Sequence, residues 1–187
     1  SSIDQSVTQQ LLNPGYELPK DYTLTLTARS ADGCSNQKTS TITVNPPVDA
    51  AFNSSIIDAC TPTRMQFSDA SQVQSGTTYF WNWDGGTFVS SAGENYVMEY
   101  TNADPELPVT KTVTLNLTNS YGCTDAATYT FSVNPVVVSA FSVDAASSNN
   151  VCAPDDIIFN NNSTGGTLTF NWDFGDGTQA NVTNRNN

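Results

Sequence analysis

Landmarks recur along this chain at a spacing of about 89 residues, and that recurrence limits the fold more than any other feature. Leu24-Thr25-Leu26-Thr27 leads through Asp32-Gly33-Cys34 to Val44-Asn45-Pro46. Val113-Thr114-Leu115-Asn116 leads in the same way through Tyr121-Gly122-Cys123 to Val133-Asn134-Pro135. Cys34 and Cys123 are 89 positions apart, as are Pro46 and Pro135. Ala51-Phe52 returns as Ala140-Phe141 and Trp83-Asp84 as Trp172-Asp173, both at the same offset. Cys60-Thr61-Pro62 returns as Cys152-Ala153-Pro154 after 92 positions, and Phe67-Ser68-Asp69-Ala70-Ser71 as Phe159-Asn160-Asn161-Asn162-Ser163. The difference between 89 and 92 implies small loop insertions. The Asn-Pro landmarks then divide the chain. Residues 1–46 read as the C-terminal half of a repeat, 47–135 as a complete repeat, and 136–187 as the N-terminal half of a third, so the sequence reads as a window on a longer array. Proline restricts its own φ and the residue before it, so these short linkers predict limited flexibility between repeats.

Inside the repeats the apolar residues alternate with a period of two, the signature of strands with one buried face. Tyr22, Leu24, Leu26 and Ala28 share a face opposite Thr23, Thr25 and Thr27. Val113, Leu115 and Leu117 do the same, and so do Tyr129, Phe131 and Val133. Tyr79, Trp81 and Trp83 form a fourth set, repeated by Leu168, Phe170 and Trp172. Asp32-Gly33, Tyr121-Gly122 and Gly85-Gly86 punctuate these runs as turns. No segment has helical periodicity. About seven strands in some 89 residues predict an all-β, two-sheet sandwich in tandem copies.

Charge and composition exclude several functions. Six basic and 18 acidic residues give a net charge of −12, which disfavours nucleic acid and anionic membrane surfaces as partners. The chain has no histidine, which removes the commonest general base and the commonest zinc ligand. No apolar run approaches the ~20 residues of a membrane helix, so direct membrane insertion is not expected. No nucleophile–base pair or phosphate-binding glycine loop is visible, and a catalytic site tiled at every repeat would be unusual. The chain is therefore not expected to be an enzyme.

Asn171-Trp172-Asp173-Phe174-Gly175-Asp176-Gly177-Thr178 resembles the signature of the PKD family, and Phe159 to Ser163 resembles the family pattern upstream of it. The complete repeat keeps Trp83-Asp84-Gly85-Gly86-Thr87, two residues shorter. The resemblance implies immunoglobulin-like sandwiches found on cell surfaces and in secreted proteins as spacers or interaction modules. It implies Trp83 and Trp172 as core anchors, and Asp84, Asp173 and Asp176 as turn-stabilising acids. Gly175 and Gly177 would take positive φ. Arrays with an early Cys-x-Pro and a late Gly-Cys are similar to those of large surface proteins of Bacteroidota, including gliding-motility adhesins exported by the type IX system. An extracellular location, on the outer surface of a bacterium, follows as the expectation.

Four cysteines, Cys34, Cys60, Cys123 and Cys152, occupy two positions of the repeat. An exported chain would oxidise them. In a sandwich of this type Cys60 follows the first strand and Cys123 precedes the last, so a nine-residue strand of about 30 Å separates their ends of the repeat. A disulfide needs Cα atoms within about 7 Å. The expectation is therefore that bridges join neighbouring repeats of the same chain, with the Cys60–Cys123 pairing as the alternative. No cofactor is expected. Asp155-Asp156, Asp173 with Asp176, and Asp58 are weaker calcium candidates, since the spacing of a dedicated calcium loop is missing. Trp81 reads as a core residue, with a sugar-stacking platform as the alternative. Functionally, the sequence reads as a structural or adhesive segment of a giant surface protein, an extended rod serving adhesion and gliding. The alternatives are a module binding a polysaccharide or protein, and a spacer in a secreted hydrolase.

Overall fold

The structure is a computed structural model that describes residues 6–144 and 157–182, the side chains of 180–182 excepted. Among the described residues all regular structure is β, in thirteen strands. They are β1 (Lys20–Arg29), β2 (Ser35–Val44), β3 (Phe52–Asp58), β4 (Thr63–Asp69), β5 (Thr78–Asn82), β6 (Thr87–Ala92) and β7 (Asn95–Tyr100). Then come β8 (Val109–Thr118), β9 (Thr124–Val133), β10 (Phe141–Val143), β11 (Phe159–Asn161), β12 (Phe170–Asp173) and β13 (Gln179–Val182). Two larger sheets have the orders β3-β4-β7-β6 and β5-β8-β9, and β1-β2, β10-β11 and β12-β13 form two-stranded sheets. The registers of β1–β2, β4–β7, β6–β7, β5–β8, β10–β11 and β12–β13 are antiparallel. The molecule thus consists of several antiparallel sheets, consistent with a β-sandwich.

Period-two alternation is visible in burial as well as in sequence. Thr63, Met65 and Phe67 of β4 are buried, with Arg64 exposed between them, and Val113, Leu115 and Leu117 of β8 are buried with Asn116 exposed. Successive side chains of a strand point to opposite faces, so one face faces the core and the other water.

The residues fall into two compact units. The first contains residues 1–53, 69–82 and 114–128. Its core is Val48, Leu115 and Leu117, packed with Ala50, Phe52, Val73 and Trp81. Phe52 of β3 meets Trp81 of β5 edge-on at 5.0 Å, so side chains of the two larger sheets interdigitate here. The second unit contains residues 54–68, 83–113 and 129–187. Phe67 of β4 lies 5.5 Å from Trp83 and 6.4 Å from Phe131 of β9, and Tyr100 of β7 meets Phe131 edge-on at 4.8 Å. Met65, Met98, Val113 and Val133 close this core. Each such ring contributes roughly 1.5–3 kcal/mol on full burial, and edge-on pairs add about 0.5–1.5 kcal/mol.

Candidate functional site

The Trp-Asp turns differ between their two copies. In the earlier copy, Asp84 has φ 48° and Gly85 φ 76°, and the Gly86 amide donates to the Trp83 carbonyl at 3.1 Å. Positive φ at both central residues gives a tight hairpin-type turn, which explains how this copy dispenses with two residues. The Asp84 carboxylate reaches the neighbouring strand β8. It accepts the Thr112 amide of β8 at 2.7 Å, while the Lys111 ammonium donates to the Asp84 carbonyl at 3.1 Å. Trp83 is half-buried between Phe67 and Tyr96. In the later copy, Asp173 braces the following turn by accepting the Gly175 amide at 2.9 Å. Asp176 accepts both the amide and the hydroxyl of Thr178, at 2.8 and 2.6 Å. These bonds hold the Asp176 carboxyl below the usual carboxylate range. Gly175 and Gly177 have φ of 74° and 89°.

Buried and half-buried asparagines form a second set of positioned groups that alternation does not reveal. Asn102 donates to the carbonyls of Leu107 (2.8 Å) and Val133 (3.0 Å) and accepts the Asp104 amide (2.9 Å). It thereby ties the end of β9 to the loop that precedes β8. Asn13 makes the same three bonds, to Leu18 (2.8 Å), Val44 (3.0 Å) and Gly15 (3.1 Å). Each of these residues is 89 positions before its counterpart. The signal was present in the sequence as Asn13 before Glu17-Leu18-Pro19 and Asn102 before Glu106-Leu107-Pro108. Asn119 is buried, donates to the Pro46 carbonyl at 2.9 Å and accepts the amides of Tyr121 and Cys123. Ser30 stands at its counterpart position and accepts the Cys34 amide at 3.2 Å. Ser71 brackets Ala51 with two bonds, and Ser163 brackets Ala140 in the same way.

Cys34 and Cys60 are exposed and Cys123 is half-buried. Cys60 adjoins Thr61, whose hydroxyl donates to the Asn134 carbonyl. Cys123 belongs to the Asn119 turn that reaches Pro46. Cys152, Asp155 and Asp156 lie outside the described residues. Among the described residues no three His, Cys, Asp or Glu side chains are grouped to hold a metal ion. Asp58 accepts the Cys60 amide at 3.0 Å. Trp81 packs into the first unit's core, where the core reading placed it.

An open cleft of about 420 Å³ lies in the second unit. Phe141, Phe159, Phe170, Trp172 and Phe174 line it, with Asn161 and Asp173 among its polar groups. Trp172 meets Phe141 edge-on at 5.5 Å and stacks on Phe174 at 6.3 Å with 7° between planes. The earlier copies of Phe141, Phe159 and Trp172 are Phe52, Phe67 and Trp83; Phe52 packs on Trp81, and Phe67 on Trp83.

No family model, curated protein or solved structure matches the chain. No helix among the described residues is long and apolar enough to cross a membrane.

Proposed function

We propose that this chain is a mechanical and adhesive segment of an extracellular surface protein, built from tandem sandwich repeats of the PKD type. The observation that supports the reading is the recurrence, at 89-residue spacing, of the Asn13 and Asn102 clasps. Each clasp secures the end of a repeat's last strand next to its proline linker. A fastening reproduced at every repeat end suits a chain that bears tension along its length. Repetition then sets reach, and stability comes from each repeat and its nearest neighbours. In this reading the cysteines staple successive repeats, and the array presents its surface to a substratum or polysaccharide during adhesion and gliding.

Pulling the chain by its termini tests this. The complete repeat should rupture as one event, releasing about 28 nm of contour, from 89 residues at ~3.6 Å less a folded span of ~4 nm. Smooth extension at low force, with no event of that size, would contradict a load-bearing role. Saturable binding of a soluble polysaccharide, lost on Trp172→Ala, would favour a binding module instead.

A further inference from the structure

The chain between the β1–β2 hairpin and the complete repeat has little freedom left. Strand β2 ends at Val44, whose carbonyl accepts the Asn13 carboxamide at 3.0 Å. Val48 already belongs to the core with Leu115 and Leu117, and Asp49 exchanges two backbone bonds with Gln72. Asn45, Pro46 and Pro47 lie between these fixed points. The two prolines fix their own φ and bias the residue before each toward extended backbone. Pro46 is fully buried, and its carbonyl accepts the Asn119 carboxamide at 2.9 Å. That bond holds the plane of the Pro46–Pro47 peptide from the side of the complete repeat.

Asn119 makes this contact in one orientation only. Its Oδ1 accepts the amides of Tyr121 and Cys123, at 3.0 and 2.9 Å, so Nδ2 must face Pro46. The turn itself does not need a carboxamide. Ser30 opens the equivalent turn 89 positions earlier, with the same two backbone bonds, from its amide to Cys34 and from Gly33 to its carbonyl. The Ser30 hydroxyl accepts the Cys34 amide at 3.2 Å, standing in for Oδ1. What serine lacks is a second arm, the donor that in Asn119 leaves the turn and takes the linker. Asn119 is 4% exposed, so that donor has no water to turn to if the linker moves away.

We propose that Asn119 is a latch that locks the complete repeat onto the linker before it, and that the residue at this position sets the stiffness of each joint in the array. Asparagine gives a closed joint, because its two arms tie the turn and the linker together. Serine keeps the turn and leaves the joint pliable. Positions 30 and 119 already differ, so one array contains joints of both kinds. The inference rests on the repeat reading above but not on load bearing or adhesion.

Residual dipolar couplings of the 187-residue chain in a dilute aligning medium test the proposal. The hairpin and residues 78–82 and 114–118 belong to one compact unit, and in the wild type their amides should fit a single alignment. Asn119→Ser installs the residue that the equivalent turn already uses. Asn119→Asp keeps both acceptor bonds of the turn but turns a carboxylate oxygen, with no proton to give, toward the Pro46 carbonyl. In each variant the couplings of residues 78–82 and 114–118 should persist, showing an intact repeat. Those of β1–β2 should shrink at least about twofold as the hairpin reorients independently. A wild-type hairpin that already moves independently overturns the proposal, and so does a hairpin that stays fixed in either variant. Loss of the fold in both variants would make Asn119 a residue of the repeat's own core and overturn it as well. A loose wild-type joint leaves rupture of the complete repeat under force untouched, so only this inference would fall.

Discussion

Gly86 can be tested by adding a single methyl group. A Cβ built there would lie 2.6 Å from both Cε1 and Cζ of Tyr100 and 2.9 Å from its hydroxyl oxygen. Carbon atoms prefer about 3.5–4.0 Å, so the overlap is close to 1 Å. Tyr100 has little room to retreat, being 1% exposed and edge-on against Phe131 at 4.8 Å. Overpacking of this kind costs roughly 1–3 kcal/mol. Against that, Gly→Ala at ordinary φ stabilises by about 0.4–1 kcal/mol through the unfolded chain. The net expectation for Gly86→Ala is a loss of roughly 1–2 kcal/mol. Urea unfolding of a Trp172→Phe background is the assay, because Trp81 and Trp83 of the complete repeat then supply all the indole signal. Tyr100→Leu removes the ring, so the double variant should recover most of the Gly86→Ala penalty. Gly85→Ala is the control. Its φ of +76° strains any L-residue by about 1–2 kcal/mol with no contact closer than 3.7 Å, so Tyr100→Leu should not rescue it. A Gly86→Ala variant as stable as wild type, or a penalty unchanged by Tyr100→Leu, would refute the proposed contact.

Five further outcomes are expected. The Tyr100 hydroxyl is buried with no hydrogen-bond partner among the described residues, so Tyr100→Phe should match or exceed wild-type stability in urea at neutral pH; a loss above about 1 kcal/mol would contradict this. Burial first, and the nearby Asp84 charge second, push the Tyr100 phenol well above its ordinary 10.0. Its stabilisation is therefore complete below pH 10 and fades as pH rises above it, and Tyr100→Phe should abolish that part of the alkaline loss in a urea–pH series. Asn102→Ala, which removes one buried and two part-buried bonds, should cost about 2–3 kcal/mol in the same urea assay, and equal stability would contradict the clasp. The Asp176 carboxyl is lowered by Thr178, so its turn should persist above the ordinary 3.8 and open as pH falls through a lower midpoint. The Thr178 amide shift in NMR reads this, and a midpoint at or above 3.8 would contradict it. A non-reducing digest of the oxidised chain should contain no Cys60–Cys123 peptide.

Alternation and repetition made the strands legible because burial follows the same period. Val113, Leu115, Leu117 and Trp81 fall in the cores where the pattern put them. The hairpin β1–β2 also forms at the expected place, with its last residues clasped by Asn13. Its apolar face nonetheless stays exposed, because alternation specifies which residues seek cover and not whether cover is present. The Asp84 turn was less legible. Its shortening was plain, but a carboxylate's choice between its own turn and the Thr112 amide depends on where β8 runs. Gly86 looked like an ordinary turn glycine, yet its φ is not positive and the approach of Tyr100 is what excludes a side chain. Such close approaches are properties of packing between distant segments, and local sequence does not encode them. The Asn clasps were encoded, in the paired Glu-Leu-Pro segments, but polar repeats are easily masked by the apolar pattern around them.

The most direct measurement takes residues 47–135 alone and asks whether they fold. A complete repeat should give a dispersed amide spectrum, cross-strand contacts pairing β4 with β7 and β5 with β8, and one cooperative unfolding transition. A chain that remains unstructured without residues 1–46 or 136–187 would show that the 89-residue period is not a folding unit.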